Sequence, residues 1–373
     1  VGSNGSLRVL ALVPDAFGGR GGIAQFNRFL LQALSRHPRI SLEAISLLGD
    51  DRAPAPSGMK WSIPRDRSKL AFGAAATAAV ARRPPDVLIS GLIGFAPLAG
   101  TLAAAARAHL VSIVHGVEVW TPRSPLDSFA LRRSALLLAV SRITIERLRS
   151  WSGIPEERFE LLPNATDLGR FAPGPRPESL ARELRLAGDD SVLLTVGRLS
   201  RAEGYKGHDR VIRVLSRIAE SRPRVRYLIA GDGDDRRRLE ALAASCGVAE
   251  RVTFLGHVAD TTIPELYRLA DVFVMPSTGE GFGIVFLEAM ASGCPVIAGN
   301  RDGSVEAVSG AERGWLIDPD SPEELAGAIL QALAAGRFRD RAVGGVEAFR
   351  YERFEERVHA IVDKRLLPEI ERL

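Results

Sequence analysis

Short apolar runs alternate with longer amphipathic stretches along almost the whole chain, and this alternation limits the fold more than any other feature. Arg8–Pro14 (RVLALVP) reads as a buried strand, and Ile23–His37 as a helix with Ile23, Phe26, Leu30 and Leu34 on one side. Further strands are expected over Ile40–Leu48, Asp86–Leu92, His109–His115, Ala135–Val140 and Phe159–Leu162, with helices near 67–82, 94–107 and 142–151. Strand–helix alternation of this kind implies a parallel sheet covered by helices on both faces. At Asn164–Pro177 (NATDLGRFAPGPRP) the texture turns to Pro, Gly, Arg and Asp, the signature of a linker. The alternation then restarts, with strands at Ser191–Val196, Val225–Ala230, Val252–Leu255, Val272–Met275 and Pro295–Ala298. Helices near 208–221, 235–245, 263–269, 283–292 and 322–334 separate them.

The chain therefore reads as α/β, two doubly wound parallel-sheet domains in tandem, with no close repeat relating them. The first is placed at 1–170 and the second at 171–349. The charged amphipathic stretch 338–373 should form one or two helices, of which about 350–373 packs back on the first domain. Open parallel sheets bind ligands beyond the carboxyl ends of their strands, so two such sheets facing across a cleft would set the chemistry on loops that follow strands.

Composition narrows the class. At 373 residues and 46% hydrophobic the chain can bury large cores, and its length favours two domains. Cys246 and Cys294 cannot make a disulfide framework and read as buried thiols in a reducing cytoplasm. No apolar run reaches membrane-spanning length. The opening Val1–Ser6 is too polar for a signal peptide. Residues 1–173 hold 21 Lys and Arg against 13 Asp and Glu, and the remainder 28 against 32. A basic first half suits an anionic surface or substrate, although scattered solvated arginines would give the same count. The basic residues are not interleaved with exposed aromatics in a repeated way, so no nucleic-acid partner is expected.

Four segments carry the chemistry. Gly18-Gly19-Arg20-Gly21-Gly22-Ile23-Ala24 follows the first strand and opens the first helix, where glycines admit a ligand to the backbone and the helix end favours negative charge. Gly19-x-Gly21-x-x-Ala24 also matches a dinucleotide fingerprint, with Glu43 about twenty residues on. Glu43 falls mid-strand rather than at the strand end where a ribose would lie, which argues against nicotinamide binding. His115-Gly116 stands at the carboxyl end of a strand, a position suited to substrate contact; a structural histidine is the plainer reading. Gly197-Arg198 and Tyr205-Lys206-Gly207-His208 could clamp a diphosphate from two sides, or be a surface Arg and Lys with no common partner. Finally, Ser277–Glu288 (STGEGFGIVFLE) holds a tight glycine loop and then a helix whose free N–H groups face the loop. Glu280 lies in that loop. Glu288 is about one and a half turns into the helix, in an apolar run where a carboxylate needs hydrogen-bond partners. Vicinal hydroxyls of a sugar or ribose would serve, as would an internal salt bridge.

The ordered combination of Gly19…Gly22, His115, Gly197-Arg198…Lys206-Gly207, Ala230-Gly231-Asp232-Gly233, Phe254-Leu255-Gly256, and Glu280…Glu288 resembles glycosyltransferase family 4 over nearly the whole chain. That resemblance implies the GT-B fold, two Rossmann-like domains with the nucleotide sugar in the second and the acceptor in the first. It implies that Glu288 binds the donor's ribose and Glu280 the hydroxyls of the transferred sugar. Arg198 and Lys206, with Gly197, would hold the diphosphate. Gly281 and the backbone of Phe282, Gly283 and Ile284 would touch sugar and phosphate. Gly19 and Gly22 would close on the donor, His115 would lie near the reacting sugar, and Gly256-His257-Val258 would meet the base. Two departures stand out. Asn164-Ala165-Thr166-Asp167 replaces Asn-Gly-Val-Asp, and the Arg198–Lys206 spacing is long, as if Ala202-Glu203-Gly204 were inserted.

The resemblance further implies a retaining hexosyltransferase in polysaccharide or glycoconjugate biosynthesis, with GDP-mannose, UDP-glucose or UDP-GlcNAc as donor. No cofactor or metal is expected, because Arg198, Lys206 and the helix opening at Gly283 supply positive charge to the leaving diphosphate. Asp232-Gly233-Asp234 and Asp318-Pro319-Asp320 mimic a metal motif but sit where Asp caps helices. A nucleotide-sugar epimerase and a non-catalytic nucleotide-sugar binder are the rival readings. For the acceptor, a lipid-diphosphate-linked saccharide at the inner membrane face fits the cluster Arg65, Arg67, Lys69, Arg82 and Arg83, and a soluble saccharide is its rival.

Overall fold

In the computed structural model, which describes residues 6–19, 21–50 and 55–368, every paired strand of two separate sheets runs parallel to its neighbours. Val1–Gly5 and Arg20, which figured in the sequence reading, lie outside the described residues. The first sheet holds β1 (Leu7–Val13), β2 (Ile40–Ser46), β3 (Met59–Ser62), β4 (Val87–Ser90), β5 (His109–Val114), β6 (Leu136–Ala139) and β7 (Phe159–Leu161). Their spatial order is β3-β2-β1-β4-β5-β6-β7. Chain order reverses between β1 and β4, in register with Val9 opposite Val87 and Leu12 opposite Ser90. A reversal of this kind opens a crevice at the carboxyl ends of the two central strands.

The second sheet repeats the plan with six strands. These are β8 (Ser191–Val196), β9 (Val225–Ala230), β10 (Val252–Gly256), β11 (Val272–Met275), β12 (Val296–Gly299) and β13 (Gly314–Ile317). They lie in the order β10-β9-β8-β11-β12-β13, with the reversal between β8 and β11. Central strands are buried on both faces, as Val272–Met275 shows along its length, so they read as unbroken apolar runs. Helices cover the sheets. They include α1 (Gly22–Arg36), α2 (Lys69–Arg82), α3 (Ala96–Ala106), α4 (Pro125–Arg133) and α5 (Arg142–Ser152) in the first unit. The second carries α6 (Glu178–Glu183), α7 (His208–Ser221), α8 (Arg236–Ser245), α9 (Ile263–Leu269), α10 (Ile284–Ala291), α11 (Ser304–Val308) and α12 (Pro322–Ala335). The amphipathic stripe of α7 is the clearest, with Val211, Ile212, Val214, Leu215 and Ile218 buried.

Five elements were not anticipated: β3, α4, α6, α11 and β13. Both strands are sheet edges that bury little, β3 alternating half-buried and exposed residues, so neither makes a long apolar run. The helices are short, and α4 exposes Leu126 and Phe129, which blurs its pattern.

The chain divides into one unit of residues 1–165 with 351–373, and another of 166–350. Thr166 and Phe349, near the two ends of the second unit, pair with each other, Thr166 N donating to Phe349 O at 2.9 Å. No helix starts near 338. Residues 338–350 instead belong to the second unit, Val343 N donating to Met290 O at 2.8 Å. The last helix, α13 (Tyr351–Ile361), lies on α1 of the first unit. Phe354 packs edge-on to Phe26 at 5.5 Å, and His37 and His359 meet edge-on at 4.9 Å.

Candidate functional site: a cation–carboxylate cluster at the β8/β11 switch

The loop after β8 carries Gly197 and Arg198, and the loop after β11 carries Ser277 to Gly283, so both halves of the clamp emerge at the reversal of the second sheet. Between Arg198 and α7 the chain makes a tight 3-10 run, Arg201–Lys206, bent at Glu203 (φ −108°, ψ 21°). This run returns Lys206 to the strand end, where its side-chain methylenes lie over Gly197.

Four charges meet there. Lys206 Nζ donates to Glu280 Oε1 at 2.7 Å and lies 3.5 Å from Glu203 Oε2. The other Glu203 oxygen contacts the Arg198 guanidinium. Lys206, Glu203 and Glu280 side chains are each about seven-eighths buried, whereas Arg198 is 80% exposed. Burial works against the Lys206 ammonium, but Glu280, then Tyr205 and Glu203, outweigh it and hold the ammonium above its usual range. Burial and then Glu280 push the Tyr205 hydroxyl up to about 12, so it stays protonated. The geometry brings Arg198, Lys206 and Glu280 together through Glu203. The long Arg198–Lys206 spacing is absorbed by the 3-10 run, which adds Glu203 to the cluster.

The glycine loop is shaped by two contacts. Gly279 packs under the Tyr205 ring, where a Cβ would come within 2.6 Å of the ring, and Tyr205 O accepts from Thr278 N at 3.0 Å. Gly283 takes φ +85°, the left-handed turn that lets α10 begin at Ile284. Beneath the loop lies Asp302, buried after β12 and missed by the sequence reading. Its Oδ2 accepts from Ser277 Oγ at 2.7 Å and Glu280 N at 2.8 Å; its Oδ1 accepts from Ser304 N at 3.0 Å and Ser304 Oγ at 2.5 Å. Position was the available signal, since Asp302-Gly303-Ser304 joins a strand end to a helix start.

Glu288 sits apart from the charged cluster, buried on α10 with Oε2 accepting from the Tyr267 hydroxyl at 3.0 Å. Burial raises its carboxyl to about 7. Its direct partner is a hydroxyl on α9, not the internal salt bridge considered from sequence. Phe282 is buried and packs at 5.5 Å from Phe349. Gly281 is half-buried, and Gly283 and Ile284 are buried. Gly256 ends β10 with its carbonyl accepting from Gly231 N at 2.9 Å; His257 is exposed and Val258 half-buried beyond it.

Of the metal-like pairs, Asp234 Oδ1 accepts from Arg201 N at 3.0 Å and Asp320 Oδ2 from Arg301 Nη1 at 2.5 Å. Asp318 also pairs with Arg301, and Asp232 Oδ1 accepts from Gly233 N at 2.9 Å. These carboxylates fasten turns.

In the first unit, Gly19, Gly22 and His115 gather at the carboxyl edge of the sheet. Gly19 N donates to Ala16 O at 3.3 Å and Gly22 begins α1. His115 donates Nε2–H to Gly91 O at 3.0 Å, and its ring meets Phe26 of α1 edge-on at 5.1 Å. That bond fixes the tautomer with Nδ1 as the acceptor. Burial lowers the His115 pKa, so the ring is neutral near pH 7. Glu43 pairs with Arg82 at 2.8 Å, which gives the carboxylate an ordinary structural partner.

Comparison with known proteins bears on both units. Residues 178–344 match the family model described as glycosyl transferases group 1, and residues 20–170 match glycosyltransferase family 4. The chain is 37% identical over 253 residues to a GDP-mannose-dependent alpha-(1-6)-phosphatidylinositol monomannoside mannosyltransferase of Mycobacterium tuberculosis H37Rv. That match covers 65% of this chain and 63%, less than two thirds, of the mycobacterial enzyme. The protein of the same description in Mycolicibacterium smegmatis is 36% identical over 67% of this chain and 68% of its own. Among solved structures, Anabaena HepE in complex with UDP and glucose superposes with a TM-score of 0.70 at 22% identity, covering 98% of this chain and 97% of that one. The likeness in structure shows the GT-B fold, and with the two family matches and the mycobacterial relatives it establishes that the chain belongs to glycosyltransferase family 4.

Proposed function

We propose that this protein is a retaining, metal-independent glycosyltransferase that moves a hexose from a nucleoside-diphosphate sugar to a lipid-linked saccharide. The observation that carries the reading is the convergence of Arg198, Lys206 and Glu280 at the β8/β11 switch, with Glu280 four positions before Ile284, where α10 opens. In transfer, the bond from the anomeric carbon to the diphosphate breaks and negative charge grows on the leaving phosphate. Arg198, Lys206 and the free N–H groups of the first turn of α10 answer that charge. Glu280 and Glu288 accept from hydroxyls of the sugar and the ribose. Burial holds the Glu288 carboxyl up to about 7. His115, neutral and with Nδ1 as acceptor, suits contact with the reacting sugar.

GDP-mannose is the first donor to test, because both mycobacterial relatives carry it in their names. UDP-glucose and UDP-GlcNAc offer the same diphosphate and hydroxyls. The phosphatidylinositol mannoside in those names, and the basic first unit, favour a lipid-linked acceptor at an anionic membrane surface on the cytoplasmic side.

The test combines a donor panel with two variants. Glu288→Ala should weaken donor binding by about tenfold or more, and Arg198→Ala should lower kcat about a hundredfold. Turnover and donor affinity unchanged in both variants would sink the reading. Product stereochemistry by NMR checks retention, and unchanged turnover in chelator checks metal independence.

A further inference from the structure

The cation clamp is already occupied by the chain's own carboxylates. Glu203 reaches both Arg198 and Lys206, and Glu280 takes the remaining side of Lys206. Two cations and two carboxylates leave the cluster with no net charge, a poor lure for a diphosphate. The two pairs differ in how readily they exchange. Lys206–Glu280, at 2.7 Å between two withdrawn groups, is the tight contact, whereas Glu203, equally withdrawn, stands 3.5 Å from Lys206 and its other partner, Arg198, is 80% exposed and readily exchanged. Glu203 also sits at the bend of the 3-10 run, followed by Gly204, beside which there is open space for a side chain. The run is pinned at Arg201, whose N donates to Asp234 Oδ1, and near its end at Tyr205, whose O accepts from Thr278 N, while at the bend Glu203 N donates to Ser200 O and leaves its side chain to exchange partners.

We propose that Glu203 is a built-in counter-anion of the diphosphate site, which the donor's diphosphate must displace from Arg198 and Lys206 and which takes the cations back when the nucleotide leaves. It thus sets donor affinity and product release. The inference rests on the reading that Arg198 and Lys206 hold the diphosphate, and it makes a prediction that reading does not. Removing a negative charge from an enzyme usually weakens a site built around it. Here it should tighten the site for anions.

The experiment compares wild type, Glu203→Gln and Arg198→Ala by calorimetry with inorganic pyrophosphate, GDP and UDP, and by steady-state kinetics. Glu203→Gln should bind pyrophosphate and whichever nucleoside diphosphate the wild type prefers about fivefold more tightly. KM for the donor should fall, and kcat with it, because release of the diphosphate slows. Glu203→Asp, which keeps the charge on an arm one methylene shorter, should tighten pyrophosphate binding by less than Glu203→Gln does. If Glu203→Gln weakens or leaves unchanged the affinity while Arg198→Ala abolishes it, Glu203 merely aligns its neighbours and the proposal falls. If Arg198→Ala has no effect on pyrophosphate or nucleotide binding, the diphosphate reading itself fails, and the two failures are told apart.

Discussion

At the scale of single residues, Glu288 is the most consequential group, because its burial sets stability and binding against each other. Its carboxyl is raised to about 7 from an ordinary value near 4.5, chiefly by desolvation. The folded state therefore holds a proton that the unfolded chain has released between those two values. Stability from this group is fully present below about pH 4.5 and is lost as pH rises through about 7. Glu288→Gln, which needs no ionisation and can still accept from Tyr267, should remove that loss. Urea melts should find the variant equal to wild type near pH 5 and more stable at pH 8, by on the order of 3 kcal/mol at most. Its donor affinity should drop at the same time. A variant less stable than wild type at pH 8 would mean that the carboxylate is satisfied in the fold. The residue was legible as a candidate because a carboxylate inside Phe286-Leu287-Glu288-Ala289-Met290 breaks an apolar run. Tyr267 was not legible as its partner, since a tyrosine on a different helix leaves no mark in local spacing.

At the scale of elements, the glycine loop after β11 depends on Asp302 for its shape. One buried carboxylate accepts from Ser277, the backbone of Glu280, and both donors of Ser304, and so ties the loop after β11 to the start of α11. Asp302→Ala would leave three donors, Ser277 Oγ and the N–H groups of Glu280 and Ser304, short of a partner, while Ser304 Oγ keeps Gly299 O, at about 1–3 kcal/mol for each unsatisfied group. We expect a loss of at least about 3 kcal/mol in denaturant melts, with faster amide exchange over residues 277–283 than over β8. Exchange raised evenly across the second unit would instead show a general loss of packing. Elements with strong periodicity, such as α7, or with full burial, such as β11, were readable from sequence. Edge strands β3 and β13 were not, because half-exposed strands lack the long apolar signal. Asp302 belongs to that second group: its role arises from a loop brought to it by a neighbouring strand.

At the scale of the molecule, charge is divided unevenly between the two units. Residues 1–165 with 351–373 hold 25 basic and 18 acidic residues, whereas 166–350 hold 24 and 27. The first unit also exposes large apolar side chains: Leu70 is 87% exposed, Leu126 67% and Phe129 59%. Leu70 and Leu126 lie in the first turns of α2 and α4, which flank α3, and helices that follow parallel strands start at the carboxyl edge of the sheet. Arg65, Arg67 and Lys69 are exposed beside Leu70, and the Arg133 guanidinium stands 5.6 Å from the Phe129 ring. Apolar tips within a basic surround suit the boundary of an anionic bilayer, where each nearby Lys or Arg adds about 1 kcal/mol and neither signal alone binds firmly. We therefore expect the protein to float with vesicles containing phosphatidylinositol or phosphatidylserine at low salt, and to be released at about 0.5 M salt as screening shortens the attraction. Leu126→Ser with Phe129→Ser should weaken flotation about tenfold while leaving unchanged the nucleotide binding that we propose for the cluster around Lys206. Equal recovery with neutral vesicles, or no flotation at any salt, would remove the membrane from the account and return the acceptor to the soluble saccharides.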